Sequence, residues 1–287
     1  MQTDIRIDSL AFLDDEELYA AFSAAFASYE LTLSAVDLKR MLLRRGFCRE
    51  LSFGAFDADN RLVAFTFNGI GHHYDGRLTA YDTGTGTVPE WRGKGLAGKI
   101  FDYSLPYLRK AGVEQYLLEV LQHNAPAVSV YRKAGFKEVR EFDYYNCNKC
   151  DVALESADAW QLVKLDSPDD AKAFGVWFDR CPSWQNSFDS MRRGVGDLAF
   201  YVLCENAEPI AYGALEASTG DVAQIAVNPA HRRRGAGRAL LSHLVSLVPG
   251  ETFKVVNVDR SDASMSAFLS ALGLKPSGSQ YEMILPL

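Results

Sequence analysis

Two stretches, WRGKGLAGK at residues 91–99 and HRRRGAGRA at 231–239, each set glycines among cations, with an arginine three places before a glycine in both. Arg92 and Gly95 correspond to Arg232 and Gly235 at a spacing of 140, and a second landmark, Gly135-Phe136, returns as Gly273-Leu274 at 138. Two landmarks in agreement make a repeat at the scale of a domain, so whatever fold suits one half must suit the other. The 287 residues, at roughly 150 per domain, allow two units that can each bury a core. The expected halves are 1–157 and 158–287, meeting in the polar ESADAW of 155–160.

Within the first half, apolar residues at helical spacing predict helices over Glu16 to Ala27 and Ser34 to Arg45. LSFGAF and RLVAFTF around DADN predict a hairpin, and RLTAYDTGTGTV predicts a strand whose glycines suggest a bulge. A helix from about Leu96, a strand at QYLLEV, a helix over Ala125 to Ala134 and closing strands at EFDYY and DVALE complete the half. Pro106 is expected to kink the helix that holds it. The second half repeats the order: WQLVKL, a helix from Pro168, the hairpin LAFYVLCENAEPIAYGALE, the strand DVAQIAV, the glycine segment, a helix to Leu247, FKVVNV, a helix and YEMIL.

A helix N-terminus carries unpaired N–H groups and about half a positive charge, so a glycine turn leading into it can cradle a phosphate. Neighbouring Arg or Lys adds charge-assisted hydrogen bonds. The plain alternative is a glycine-rich turn with solvated arginines. Gly93-Lys94-Gly95-Leu96-Ala97-Gly98 also satisfies G-x-G-x-x-G, with Glu119 suitably placed for a dinucleotide fold. Against that reading, the second copy has no third glycine, and neither segment follows a first β-strand or precedes repeated βαβ units. No Walker loop occurs.

VPEWRGKGLAGK and VNPAHRRRGAGRALL resemble the acyl-CoA pyrophosphate loop, Arg/Gln-x-x-Gly-x-Gly/Ala after a strand, of the Gcn5-related N-acetyltransferases, the GNAT family. The likeness spans nearly the whole chain. It implies an α+β fold of two tandem GNAT-like domains, each a mixed, mostly antiparallel twisted sheet with a bulged central strand and flanking helices. It implies acetyl-CoA as co-substrate, wedged between splayed strands. The pantetheine would pair with Gly86, Thr87 and Val88, or with Ile225, Ala226 and Val227. The diphosphate would meet Arg92, Gly93, Lys94, Gly95, Leu96 and Ala97, or Arg232, Arg233, Arg234, Gly235, Ala236 and Gly237.

LEVLQHNAPAVSVYRKAGF, residues 118–136, is similar to acetyltransferases that act on ribosomal-protein N-termini in its spacing of Glu119, Asn124 and Tyr131. An alkylammonium with a pKa of about 10.4 cannot attack a thioester until its proton is removed, and the departing thiolate needs one. The resemblance therefore implies Glu119 as base and Tyr131 as acid. Asn124 falls among the family's cofactor-side positions, but Asn124 before Ala125-Pro126 also reads as a helix cap, and Tyr131 shares a helical face with Val128 and reads equally as core. In the second half Asn257, Asp262 and Leu269 stand at the three places. Asn257 cannot take a proton and Leu269 has none to give, so the first half is expected to be catalytic and the second structural or CoA-binding.

Composition narrows the surroundings. A net charge of −7 argues against a dedicated nucleic-acid binder and favours a cationic substrate. Five scattered cysteines predict no disulfide framework and point to a reducing cytoplasm. The acidic N-terminus is unlike a signal peptide, and no run approaches about 18 apolar residues, so neither export nor a membrane span is expected. Cys147-x-x-Cys150 has no second pair beside it, and no metal is expected. His72-His73 reads as a solvated loop pair, and nothing orients His123 toward Glu119. The resulting expectation is acetyl transfer to a primary amine, small molecule or peptide. A non-catalytic acyl-CoA-binding module is the alternative from another class, and an NAD-dependent oxidoreductase the third. Neither the acceptor nor the assembly state is legible.

Overall fold

The computed structural model describes residues 5–27, 33–152 and 160–287. The chain forms two compact units, Met1–Leu118 with Ile284–Leu287, and Glu119–Met283.

The first unit contains β1 (Arg6–Ser9), α1 (Asp15–Phe26), α2 (Ala35–Arg45), β2 (Phe53–Phe56), β3 (Leu62–His72), β4 (Leu78–Thr87), α3 (Leu96–Lys110) and most of β5 (Gln115–Leu121). Asp14 starts α1 through a capping box with Glu17, which leaves Leu18, Ala21, Phe22 and Ala25 on the buried face. Ser34 caps α2, and Gly46, at φ +80°, ends it. The strands run β1-β2-β3-β4-β5, antiparallel except for the β4–β5 pair. One sheet face packs Phe56, Phe65 and Phe67 against α1 and α2, and the other packs Phe53, Ala55 and Ala64 against Leu96 and Ile100 of α3. The predicted bulge is present: the β3–β4 register slips between Phe67 and Asn68, leaving Thr83 as the extra residue. Helix α3 runs unbroken through Pro106, so the expected kink does not end it.

The second unit continues from β5 with α4 (Ala125–Lys133), β6 (Lys137–Asn148), β7 (Gln161–Leu165), α5 (Pro168–Ala171), α6 (Phe188–Arg193), β8 (Ala199–Glu205), β9 (Glu208–Glu216), β10 (Asp221–Val227), α7 (Ala236–Ser246), β11 (Thr252–Asp259), α8 (Ala263–Ala271) and β12 (Gly278–Pro286, to Met283 in this unit). Its strands run β12-β6-β11-β10-β9-β8-β7. Leu240, Leu241, Leu244 and Val245 of α7 fill one face with Leu203, Ile210 and Leu215, while Phe200, Val202 and Tyr212 face Met191 on the other. The β9–β10 register slips between Val222 and Gln224, a second bulge at the place the repeat demands. These mixed, mostly antiparallel sheets with flanking helices are the expected fold class.

Two expectations are corrected. DVALE does not begin as a strand: Asp151 closes a short 3-10 turn from Lys149 and Val152 follows in a bend, while residues 153–155 lie outside those described. Strand β6 instead takes β11 and β12 as neighbours, so its hydrogen-bonding edges are satisfied by chain more than a hundred residues away. The helix predicted from Pro168 is a single turn, followed by 3-10 turns at Lys172–Trp177 and Trp184–Asn186. The compact units divide the chain after Leu118 and Met283, and residues 155–159 of ESADAW lie outside those described.

Candidate active site

Each glycine segment joins a central strand to a helix that lacks a side-chain cap. Side chains of Asp14, Ser34, Asn124, Ser167, Ser187 and Asp262 accept N–H bonds at the starts of α1, α2, α4, α5, α6 and α8, but α3 and α7 have none. Their N-cap residues are Gly95 at φ +72° and Gly235 at φ +90°. The first bonds inside these helices are Lys99 N–H to Gly95 C=O and Ala239 N–H to Gly235 C=O. The amides of Leu96, Ala97 and Gly98, and of Ala236, Gly237 and Arg238, therefore precede the intrahelical ladder and are available to an anion. A Cβ at Gly93 or Gly95 would meet nothing within 4 Å, so the φ of +75° at Gly93 and the Gly95 turn, not crowding, call for glycine. At the place of Gly93 the second loop has Arg233, held at φ +64°.

Arg92 and Arg232 tie their loops down in the same way. Arg92 donates from Nε to Thr87 C=O at 3.2 Å and from Nη2 to Ala25 C=O at 2.8 Å. Arg232 donates to Val227 C=O at 3.2 Å and Trp177 C=O at 2.8 Å, and adds an ion pair with Asp179 at 2.7 Å. That pair, with Ser264 Oγ also donating, holds the Asp179 carboxyl below its ordinary range. Lys94 lies over the Trp91 ring at 4.0 Å, and Arg234 pairs with Glu205 at 2.7 Å.

The strands next to the loops are paired over only a short stretch. Pairing of β4 with β5 stops at Tyr81 and Leu117 although β4 continues through Gly86 to Thr87. In the second unit β10 pairs with β11 only at Asp221 and Lys254, and Ile225, Ala226 and Val227 extend beyond. Below the second loop lies a cavity of about 350 Å³ whose walls include Trp177, Phe178, Val227, Arg233, Gly237 and Phe268. This size suits part of an elongated ligand.

The predicted acid and base lie in the second unit with α4. Glu119 is half-buried on β5 and accepts hydrogen bonds from the side-chain amides of Gln185, Asn257 and Gln280. Asn124 caps α4, accepting from Ala127 N–H at 3.3 Å, and Asp262 does the same for α8 at 2.9 Å. Tyr131 is half-buried, with its ring edge-on to Phe136 at 5.7 Å. Its counterpart Leu269 is fully buried in the core. The segment Gly86–Ala97 belongs to the first unit and Glu119, Asn124 and Tyr131 to the second.

Sequence reasoning missed Asp82. Its carboxylate, at the β4 bulge, accepts from Thr85 Oγ1 at 2.8 Å and Gly84 N–H at 2.9 Å. Burial nevertheless raises it to about 6, against the pull of these donors and of Arg45. The signal was available: an aspartate flanked by the apolar AY and the glycine-rich TGTG of a predicted bulge. The histidine pair divides, since His72 is exposed while His73 is buried, 3.6 Å from Asp75, which corrects its reading as solvated. His123 is exposed on the turn before α4. Cys147 is buried within β6, where burial pushes its thiol up to about 11, and Cys150 is exposed.

Comparison with known proteins identifies the family. Residues 16–136 match the acetyltransferase (GNAT) family model and residues 196–269 an acetyltransferase (GNAT) domain model. The chain is 31% identical to a mycothiol acetyltransferase of Saccharomonospora viridis over 47% of its own length and 46% of the relative's, so it spans less than half of that protein. It is 30% identical to N-alpha-acetyltransferase 30 of Schizosaccharomyces pombe over 36% of its own length and 68% of the relative's. A tandem GNAT protein from the clavulanic acid biosynthesis pathway shares the fold, with a TM-score of 0.71 over 99% of this chain and 98% of that one at 15% identity. Two uncapped helix starts behind left-handed turns, two splayed strand pairs and two matched models together place this chain in the GNAT acetyltransferase family.

Proposed function

We propose that this chain moves the acetyl group of acetyl-CoA to a primary amine by direct attack, with the first repeat, 1–157, catalytic and the second, 158–287, a binding or structural partner. The observation that carries the reading is the pair of helices, α3 and α7, left without side-chain caps behind residues of positive φ. In each loop the backbone amides receive the diphosphate, and Lys94, or Arg233 and Arg234, adds charge. Glu119 takes the proton of the ammonium. The freed amine forms the C–N bond, the C–S bond breaks, and the Tyr131 hydroxyl protonates the departing sulfur. Asn124 serves the site through its cap of α4. The names of the relatives agree on acetyl transfer and differ on acceptor, so the proposed acceptor class is the amine itself, small molecule or peptide N-terminus. Free, scattered cysteines support a cytoplasmic setting, and no helix among the described residues is long and apolar enough to cross a membrane.

The test is release of CoA thiol on an amine panel of polyamines, amino sugars and peptides with free N-termini. Turnover with any of these supports the proposal. Binding of CoA by calorimetry without turnover favours the non-catalytic module, a reading that Asn257 and Leu269 already favour for the second repeat. Tyr131→Phe is expected to slow turnover at least about tenfold; an unchanged rate assigns Tyr131 to packing.

A further inference from the structure

Glu119 and Asn257 hold the same position in the two repeats, and they touch. Asn257 Nδ2 donates to Glu119 Oε1 at 2.9 Å and to Oε2 at 3.0 Å. Two more amides reach Oε2, Gln185 Nε2 at 2.5 Å and Gln280 Nε2 at 3.2 Å. All four residues belong to the second compact unit. We propose that the second repeat, having an amide where the first has a carboxylate, supplies the positioning shell of Glu119, with Asn257, Gln280 and Gln185 as positioning residues for its proton transfer. The proposal rests on the reading of Glu119 as base.

Three features separate this from a buried polar cluster that is merely satisfied. The first is backbone. Asn257 sits at φ +59°, where the β11–β6 register slips between Val255 and Val258. A bulge re-aims a side chain, and asparagine adopts the left-handed region more readily than other non-glycine residues. The second is orientation. Asn257 Oδ1 accepts from Gln280 Nε2, so its NH₂ must face the other way, toward Glu119 and Ser183 Oγ at 2.9 Å. The third is charge. These donors are neutral amides, which orient a carboxylate without the permanent cation that Arg or Lys would set against an incoming ammonium. They also load the two oxygens unequally: three of the bonds end on Oε2 and one on Oε1. A carboxylate oxygen has about two lone-pair sites, so Oε1 is the atom with room for the substrate's proton.

The experiment is a kinetic double-mutant cycle on the full chain. CoA release is measured with the panel amine turned over fastest, and separately with no amine, where water is the acceptor. Asn257→Gly keeps the positive φ and removes the amide; Gln280→Met removes a donor at similar volume and serves if the glycine variant does not fold. Each is compared with Glu119→Gln and with the corresponding double variant, and melting temperatures report the fold. The expected result is a kcat lowered at least about tenfold with KM for acetyl-CoA within about twofold, and less than about a twofold further effect in the Glu119→Gln background. An equal loss in both backgrounds, or no loss with Glu119 intact, overturns the positioning role. A wild-type rate for Glu119→Gln, or no release under either condition, overturns the base reading and this proposal with it.

Discussion

Asp82 gives the molecule a pH dependence that can be assigned to one residue. Its folded value of about 6 stands above the ordinary aspartate value of about 3.9. Between those values the folded state holds a proton that the unfolded chain has released, so this contribution to stability is complete below about pH 4 and lost as the pH rises to about 6. Asp82→Asn keeps the shape and cannot ionise. It should therefore gain on the wild type as pH rises, by at most about 2 to 3 kcal/mol because Asp82 is only half-buried, and then level off. Urea unfolding of both proteins at pH 4 to 7 checks this, and a constant difference refutes it. Arg233 supports a second forecast. A non-glycine residue at φ +64° carries a strain of roughly 1 kcal/mol, so Arg233→Gly should not lower the melting temperature. It should, however, weaken CoA binding through loss of a cation, which calorimetry would show.

At the scale of elements, the chain advertises most of what it builds. The spacing of Leu18, Ala21, Phe22 and Ala25 predicts α1, apolar spacing over Ser34 to Arg45 predicts α2, and the glycines of RLTAYDTGTGTV mark the β4 bulge where it occurs. These signals are local, carried by side-chain period and backbone allowance. What is not local was not legible. The three amides on Glu119 come from positions 66 to 161 residues away, and polar residues in separate loops and strands have no period to betray them. The uncapped starts of α3 and α7 stand between these cases: the glycines predict the turns and Asn124 reads as a cap from the sequence, but only the structure shows that α3 and α7 alone among the α-helices described lack one. Gly95→Ala should therefore act through the turn alone. With nothing within 4 Å of the added Cβ, the cost is the left-handed conformation, about 1 to 2 kcal/mol. A distorted turn misdirects the amides, so CoA affinity should fall more than that stability loss explains. A variant that binds CoA as tightly as the wild type would remove the α3 amides from the diphosphate site.

For the whole molecule, the repeat in the sequence and the cooperativity of the fold are different things. Duplication places the landmarks 138 to 140 residues apart, which suggests a chain that could be cut near 157. Strand pairing opposes such a cut. Twelve-residue β6 lies between β12 and β11, antiparallel to β11 from Thr252–Asn148 to Asp259–Phe142, and both neighbours follow residue 250. A fragment ending at 157 would leave β6 with neither, exposing two rows of unpaired backbone groups and the faces of Phe142 and Tyr145, which are almost fully buried in the intact chain. It would also leave Glu119 without the amides of Gln185, Asn257 and Gln280, a half-buried carboxylate stripped of its donors. The fragment 1–157 is accordingly expected to aggregate through its unpaired β6, with no sharp transition for residues 119–157, whereas the full chain is expected to stay soluble and to unfold cooperatively. Adding residues 158–287 in trans should restore soluble, folded protein only where β11 and β12 can reach β6. Circular dichroism melts and light scattering on the fragment alone decide the matter: a soluble fragment with a sharp transition would mean that the first repeat closes its own sheet, and that the pairing of β6 with the end of the chain is dispensable.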